Sequence, residues 1–369
     1  MSRFRASAPG KLILMGEHAV VYGRPAVVAA IDPRVTVEAE AGSTSSVRLD
    51  LRELDIATEV SWHELIEYAR RARVAWNDYR SEPSPESFAD IRDRAQLALG
   101  PDRREPLAPA HLVLSALGEL AGHAGRPLEV GSVRVRSRIP VGSGFGSSAA
   151  VAAGVIGAVS ACAGMPLEPP DVERLTLEAE RRQHGTPSGA DQAAVLRGGL
   201  VRIDRTVSGL EARPIDVPSR VLERIAVFHS GTPAATTGEV VAAVRELRSR
   251  DPRHFEGLLD RMGENVLCFL HELERDEPDL EAIGRSMNDF QECLDRMGVV
   301  PPDVREALAA ARAQGLAAKI SGAGGLSDSG AGSVIAFAVP SAGEVLSVAD
   351  YPRQRVALAA PGLRVEVLD

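Results

Sequence analysis

Stretches in which hydrophobic and polar residues alternate lie mainly in the first half of the chain, and longer stretches with helical periodicity dominate the second half. Alternation at every second residue is typical of strands, whereas apolar residues spaced three or four positions apart are typical of helices. The alternating stretches predict strands at Arg3–Ala8, Lys11–Met15, Ala26–Ile31, Val35–Ala39, Val47–Leu51, Val133–Ile139, Gly198–Ile203, Val221–Phe228, Ala317–Ile320, Ser333–Ala338 and Val365–Leu368. Helical periodicity predicts helices at Trp62–Tyr79, Pro109–Gly122, from about Ser147 onwards, and at Pro170–His184, Gly238–Arg248, His254–Arg275, Leu280–Met297 and Pro302–Gln314.

The order of these elements predicts two domains of ordinary size. Strands and helices are mixed up to about residue 222, after which helices predominate. We therefore expect an N-terminal α/β domain at residues 1–222 and a C-terminal domain at residues 223–369. Arg80–Pro106 is polar, contains prolines and mixes both signs of charge, which predicts a surface insertion.

Composition narrows the class of protein further. Among 369 residues, 44% are hydrophobic and 25% are charged, as in soluble globular proteins. The net charge of −9 disfavours nucleic-acid binding. No signal-like apolar segment is present, and the run Ala149–Met165 is short and broken by glycines, so we expect no membrane association. Cys162, Cys268 and Cys293 match no zinc or disulfide spacing, which favours the cytoplasm.

The segment Pro140–Ala150 reads Pro-Val-Gly-Ser-Gly-Phe-Gly-Ser-Ser-Ala-Ala, between a predicted strand and a predicted helix. Glycines let the backbone approach a ligand closely, and the amides at the start of a helix attract anions, phosphate above all. The spacing matches neither the P-loop nor the dinucleotide fingerprint. A tight turn with Ser147 or Ser148 as the helix N-cap is the alternative interpretation.

Three other stretches carry polar groups in glycine-rich surroundings. Ala8–Gly23 places Lys11, Glu17 and His18 in an otherwise apolar segment, although each taken singly is typical of a structural residue. Glu180–Asp191 sets two carboxylates on either side of a Gly/Pro/Ser turn. Phosphoryl transfer uses one carboxylate to hold Mg²⁺ and another to orient or deprotonate the attacking hydroxyl, whereas an isolated Asp at such a place is often only an N-cap.

The third stretch, Lys319–Gly332, is a second glycine loop that follows a predicted strand. Apolar strands on both sides make a merely flexible connector less expected. We expect this loop to close over phosphates bound by the first loop.

Taken together, Ala8-Pro-Gly-Lys11 with Gly16-Glu-His18, Pro140-Val-Gly-Ser-Gly-Phe-Gly-Ser-Ser148 and Lys319-Ile-Ser-Gly-Ala-Gly-Gly325 resemble the three ordered motifs of the GHMP kinases. This superfamily is named for galactokinase, homoserine kinase, mevalonate kinase and phosphomevalonate kinase. Within it, Gly16–Gly23 and Gly185–Asp191 look most like the mevalonate kinases. The resemblance runs from residue 3 to about residue 337.

The resemblance implies an α+β, two-domain GHMP kinase fold, with a ribosomal-protein-S5 domain-2-like N-terminal domain and a ferredoxin-like C-terminal domain. It implies ATP-dependent phosphorylation of the C5 hydroxyl of mevalonate, with Mg²⁺ as cofactor and a homodimer as the common assembly. Asp191 matches the catalytic base and Lys11 the lysine beside it, whereas Ser148 and Glu180 match the Mg²⁺ ligands. The mevalonate side would include Glu17, His18, Asp191 and Thr237. The ATP-binding residues would be Gly142, Ser143, Gly144, Phe145, Gly146, Ser147, Ser148, Gly322, Ala323, Gly324 and Gly325.

The loop of the third motif, Lys319–Gly332, departs from the family pattern, which usually continues with further glycines into a strand. Here Gly325 is followed by Leu-Ser-Asp-Ser before Gly330. Asp328 therefore brings a negative charge near the expected phosphates. It either faces solvent or contacts a cation, and we expect it to face solvent.

Two other functions are compatible with the same motifs. One is a GHMP kinase for a different acceptor, such as phosphomevalonate or a sugar, with Arg181, Arg182 and Arg197 available to bind a second phosphate. The other is a non-catalytic metabolite sensor on the same fold. A sensor would be expected to lack Lys11, Glu180 or Asp191, and this chain has all three.

Overall fold

A computed structural model describes residues 2–42, 45–140, 142–206, 209–327, 330–340 and 347–368 of the chain. The strands are β1 (Arg3–Met15), β2 (Ala26–Ala41), β3 (Ser46–Leu51), β4 (Ile56–Ser61), β5 (Val130–Ser137), β6 (Leu200–Thr206), β7 (Gly209–Ile215), β8 (Ile225–His229), β9 (Leu316–Ser321), β10 (Ser333–Ala338), β11 (Arg353–Gln354) and β12 (Arg364–Leu368). The α-helices are α1 (Trp62–Ser81), α2 (Pro85–Gln96), α3 (Pro101–Arg104), α4 (His111–Ala124), α5 (Ser147–Cys162), α6 (Pro169–His184), α7 (Ala190–Arg197), α8 (Ser219–Leu222), α9 (Thr237–Arg250), α10 (Pro252–Leu273), α11 (Leu280–Met297) and α12 (Pro302–Ala313).

The larger sheet is built around β1 and β2, which pair antiparallel along most of their length. Its main path runs β12-β1-β2-β5-β3-β4, and β6 and β7 extend it from the other half of β2. The sequence predicts two strands in place of β1 because Pro9 and Gly10 interrupt the alternation. The structure keeps one strand and absorbs the interruption as a register shift between those two residues.

Helix α5 is the central helix of this part of the molecule. Its Ala- and Gly-rich surface packs against β1 and β2, and α4, α6 and α7 surround it. Twelve of its residues are buried, which explains why it is apolar all round. The long apolar run in the sequence is therefore a core helix. No helix among the described residues combines the length and the apolar character that crossing a membrane requires.

The second sheet has the strand order β11-β8-β10-β9. Helices α10 and α11 pack against each other, and α11 and α12 lie against β9. Every residue of β9 and β10 is buried, so these strands form the centre of this part. The last strand, β12, leaves this part and pairs with β1 of the first sheet. The domain boundary near residue 222 stays a prediction, but the chain after it contributes to both sheets.

The segment Arg80–Pro106, predicted to be a surface insertion, contains two helices, α2 and α3. Helix α2 begins with a capping box at Ser84 and Ser87 and packs against α1. Its apolar residues are few, but Ile91 and Ala95 are both buried. The sequence pattern hides this helix because many charged residues stand between the buried positions.

Candidate active site

The first glycine loop joins β5 to α5 and has the backbone that its sequence predicts. Gly142, Gly144 and Gly146 all have positive φ, between 65° and 75°. The N-cap of α5 is Gly146, and no side chain caps the helix, so the alternative interpretation with Ser147 or Ser148 as N-cap is wrong. The first helical hydrogen bond runs from the amide of residue 150 to the Gly146 carbonyl. The preceding amides are therefore available to an anion.

Lys11 and Asp191 meet beside this loop. Lys11 lies on β1 and is 5% exposed, and its Nζ is 3.2 Å from Oδ2 of Asp191 in the first turn of α7. The Lys11 amide donates to the Phe145 carbonyl at 2.9 Å, which fixes β1 to the glycine loop. A Cβ atom at Gly146 would stand 2.6 Å from Cγ of Lys11. The loop thus leaves room for the lysine only because residue 146 is glycine.

Ser148, Glu180 and His184 form a second cluster next to this pair. The Ser148 hydroxyl donates to Oε2 of Glu180 at 3.3 Å, and Nε2 of His184 lies 3.1 Å from the same hydroxyl. Burial, followed by the charge of Asp191, raises the pKa of the Glu180 carboxyl to about 8. Partial desolvation also lowers the pKa of His184, whose side chain is 40% exposed. His184 was not predicted as a site residue, although it lies in the motif that contains Glu180 and Asp191.

This second cluster has the features that a divalent cation needs. Oε1 of Glu180 is buried and has no hydrogen-bond partner among the described residues, so the cluster holds an unsatisfied carboxylate oxygen. No group of three or more His, Cys, Asp or Glu residues in the described part of the chain is arranged to hold a metal. Mg²⁺ commonly takes one or two protein carboxylates and completes its shell with phosphate and water oxygens. Ser148 and Glu180 fit that pattern.

The third motif begins at the end of β9 in the second sheet. Gly322 and Gly324, both with positive φ, follow β9, and the Gly325 amide donates to the Val299 carbonyl at 2.9 Å. The Ser333 hydroxyl, at the start of β10, donates to the Ser143 carbonyl of the first loop. The strand that follows the third motif is therefore tied to the first glycine loop. Asp328 lies outside the described residues.

Glu17 and His18 lie where the first and third motifs meet. The Glu17 carboxylate forms a fully buried ion pair with Lys319 of β9. Nε2 of His18 lies 2.9 Å from the Ala323 carbonyl, and His18 has the unusual φ of 56°. Because a carbonyl only accepts, this nitrogen donates. Lys319 was not predicted as a site residue, although a lysine in an otherwise apolar strand is a signal that could have found it.

Two further residues are Thr237, which was predicted to bind the substrate, and Trp76, which was not predicted as a site residue. Thr237 is the exposed first residue of α9, and its neighbour Thr236 forms the capping box of that helix. The indole Nε1 of Trp76 donates to the Gly185 carbonyl at 2.7 Å. This bond holds the turn between Glu180 and Asp191 against α1. Nothing in the sequence distinguishes Trp76 from an ordinary core residue.

Comparison with known proteins identifies the family. Residues 111–199 match the family described as "GHMP kinases N terminal domain", and residues 269–326 match "GHMP kinases C terminal". The chain is 32% identical to a mevalonate kinase of Thermococcus gammatolerans, over 99% of this chain and 98% of the relative. The chain belongs to the mevalonate kinase family. As a member of the GHMP kinases it is a phosphotransferase, and the expected family and enzyme class are confirmed.

Solved structures of the mevalonate kinase family share the fold. One described as "Crystal structure of mevalonate kinase" aligns with a TM-score of 0.68 at 20% identity, covering 96% of this chain and 98% of that one. The L. major mevalonate kinase in complex with R-mevalonate aligns with a TM-score of 0.61 at 22% identity, covering 91% and 87%. The expected two-domain GHMP kinase fold is thus confirmed.

Proposed function

We propose that this protein transfers the γ-phosphoryl group of ATP to the C5 hydroxyl of mevalonate, giving 5-phosphomevalonate and ADP. The observation that carries the proposal is the Lys11–Asp191 pair, set between an anion-binding glycine loop and the Ser148–Glu180 cluster. The T. gammatolerans relative, named a mevalonate kinase and similar over nearly its whole length, supports mevalonate as the acceptor.

Asp191 and Lys11 activate the hydroxyl in this proposal. An alcohol attacks poorly until its proton is accepted, and Asp191 is partly exposed at the site and able to take it. The Lys11 ammonium keeps the carboxylate in place and stabilises the negative charge that develops on the attacking oxygen. Both groups are held by regular elements, β1 and α7, which suits a reaction that depends on positioning.

The phosphates of ATP are proposed to bind the amides of Gly142–Ser148 at the start of α5, with Gly322–Gly325 on the opposite side. Ser148 and Glu180 would hold Mg²⁺, which would neutralise charge on the transferred phosphoryl group when bound. A cation there would also satisfy the orphaned oxygen of Glu180 and offset the burial of its charge. His184 orients the Ser148 hydroxyl.

Mevalonate is proposed to lie on the side of Glu17, His18 and Thr237, next to Asp191. A cytoplasmic location and a homodimer also stay predictions. The three cysteines are free, which accords with a reducing compartment.

A panel of acceptors tests the substrate. With ATP and Mg²⁺, we expect mevalonate to be phosphorylated with a higher kcat/KM than phosphomevalonate or simple sugars. Faster turnover of phosphomevalonate would instead make the protein a kinase for a phosphorylated acceptor. ATP binding without turnover of any acceptor would favour the sensor.

The variant Asp191→Asn tests the base. It keeps the size of the side chain but removes proton acceptance, so we expect kcat to fall by about 10² to 10⁴ while nucleotide binding, measured by calorimetry, is retained. Asp204→Asn is the matched control, because Asp204 is also partly exposed and paired with a basic side chain, Arg202. Unchanged turnover in Asp191→Asn would remove Asp191 from the base role.

A further inference from the structure

Lys319 and Glu17 form an ion pair whose two side chains are both 0% exposed. Lys319 lies on β9 of the second sheet, and Glu17 follows β1 of the first sheet. Removing two charges from water is costly, and an apolar pair of similar volume is often at least as stable. A contribution to folding stability therefore does not explain why an ion pair is buried here.

Every described contact of Lys319 holds its ammonium group in place. It donates to Oε1 of Glu17 and to the Ile320 carbonyl at 2.7 Å, and it lies 5.4 Å from the centre of the Phe290 ring. With no exposed surface, Lys319 is shielded from the nucleotide and the acceptor alike. Its side-chain contact with the first motif is the pair with Glu17.

The two carboxylate oxygens of Glu17 have different surroundings. Its Oε1 is taken by Lys319, and its buried Oε2 has no hydrogen-bond partner among the described residues. Burial raises the pKa of Glu17, and the positive charges of Lys319 and Lys11 both oppose that rise. Lys319 with Glu17 and Lys11 with Asp191 thus form two ion pairs, and the second contains the group proposed to accept the proton.

Two neighbouring bonds cross the same junction. The His18 imidazole donates to the Ala323 carbonyl, and the Ser321 hydroxyl donates to the Ile13 carbonyl at 2.8 Å. These two bonds and the Lys319–Glu17 pair therefore fix the segment after Lys11 against the third motif at three points. The Lys319–Glu17 pair is the one among them that also carries charge.

We propose that Lys319 is a positioning residue, which holds Glu17 so that the first and third motifs stay in register and Lys11 stays aligned with Asp191. Glu17 then contributes through this ion pair and not by binding mevalonate directly. The inference rests on the proposed kinase function. It attributes the contribution of Glu17 to its pairing with Lys319.

The test is a double-mutant cycle of Glu17→Gln, Lys319→Met and the double variant, with kcat and both KM values measured for each. Misplacement of reacting groups by about 1 Å can cost about 10²-fold in rate, so we expect each single variant to lose at least tenfold in kcat. Because the residues act as one unit, the double variant should be no worse than the poorer single variant. Both KM values should rise, since both motifs shift.

Lys319→Met alone leaves Glu17 buried without a partner and can prevent folding. The double variant carries no buried charge, so it keeps the test decisive, together with Glu17→Gln. Gln291→Met is the matched control: Gln291 is buried and accepts from the Ile320 amide at 2.9 Å, beside Lys319, but does not reach the first sheet. It should lower the thermal midpoint without raising both KM values.

A different result overturns the inference. If Glu17→Gln raises only the KM for mevalonate and the double variant has the same kcat as the wild type, Glu17 binds the acceptor directly and Lys319 is structural. Additive losses in the cycle would show that the two residues act independently, which also overturns the inference. If the wild type phosphorylates no mevalonate, the proposed function fails first, and that failure is visible without any variant.

Discussion

At the scale of single residues, the site depends on the fit between a glycine and a lysine. Gly146 has a φ of 65° and caps α5, and the Lys11 side chain passes directly over it. Gly125, the C-cap of α4, has nearly the same backbone, with a φ of 66°, but no described heavy atom would lie within 4 Å of a Cβ there. Replacing each of the two glycines by alanine therefore distinguishes the cost of backbone strain from the effect of displacing Lys11.

We predict that Gly146→Ala lowers kcat by about 10²-fold, because its methyl group pushes Lys11 away from Asp191. Gly125→Ala is the control. Both variants adopt a left-handed conformation with a side chain, which costs about 1 kcal/mol of unfolding free energy in each. Steady-state kinetics and urea unfolding separate the two effects, and equal losses of activity would contradict the prediction.

At the scale of elements, a buried histidine joins three helices behind the site. His111 begins α4, its Nδ1 lies 2.7 Å from the Tyr68 hydroxyl of α1, and its Nε2 lies 3.1 Å from the Arg182 carbonyl of α6. Since a carbonyl only accepts, Nε2 carries the proton and Nδ1 accepts from the tyrosine. Burial lowers the pKa of His111 to about 4. The imidazole is therefore neutral in the folded protein at neutral pH.

This neutral state predicts a loss of stability in acid. The unfolded chain binds a proton to His111 below about pH 6.5, whereas the folded protein does so only near pH 4, so unfolding gains protons as the pH falls through this range. We expect His111 to account for about 2 kcal/mol of lost stability between pH 7 and pH 5.

Urea unfolding at both pH values checks this prediction. The variant His111→Gln lacks a titrating group and should show a smaller loss between pH 7 and pH 5 than the wild type. The exposed His63 supplies the control His63→Gln, which should follow the wild type. Identical pH dependence in all three proteins would show that His111 does not carry the effect.

At the scale of the whole molecule, the two ends of the chain meet in one sheet. β12 pairs with residues Arg3–Ser7 of β1, and Arg34 of β2 donates to the Pro361 and Gly362 carbonyls just before β12. The sheet that carries Lys11 is thus completed by the last residues of the sequence. Its stability depends on a segment that contributes no side chain to the site.

Removal of residues 364–369 should therefore destabilise the protein without touching the site. Loss of the paired backbone along β1 is expected to cost about 3 kcal/mol and to lower the thermal midpoint by about 5 °C. Glu366→Gln, which removes only an exposed charge from β12, is the control and should change stability by less than about 0.5 kcal/mol. Calorimetry of the three proteins checks this, and an unchanged midpoint after truncation would contradict it.

Elements with strong local patterns were predictable from the sequence. Helix α11 and strand β10 have the predicted ends. A clear apolar face and a following glycine define the helix, and a short, almost entirely apolar run defines the strand. β4 and β7 were missed, since each gains its identity by pairing with a neighbouring strand and has a weak pattern of its own. Helix α2 was missed for a related reason, because its charged residues obscure the buried ones.

The candidate site also contains features that local sequence predicts and features that only packing decides. The glycine loops, Lys11, Glu180 and Asp191 stand in short motifs whose chemistry depends on local order, so the sequence by itself determined the family, the fold and the kind of reaction. Which side chains meet across long separations was decided only by the tertiary structure. Lys319 reaches Glu17 across the two sheets, and Trp76 holds the turn before Asp191. Such contacts depend on how the elements pack, and no local pattern in the chain encodes that packing.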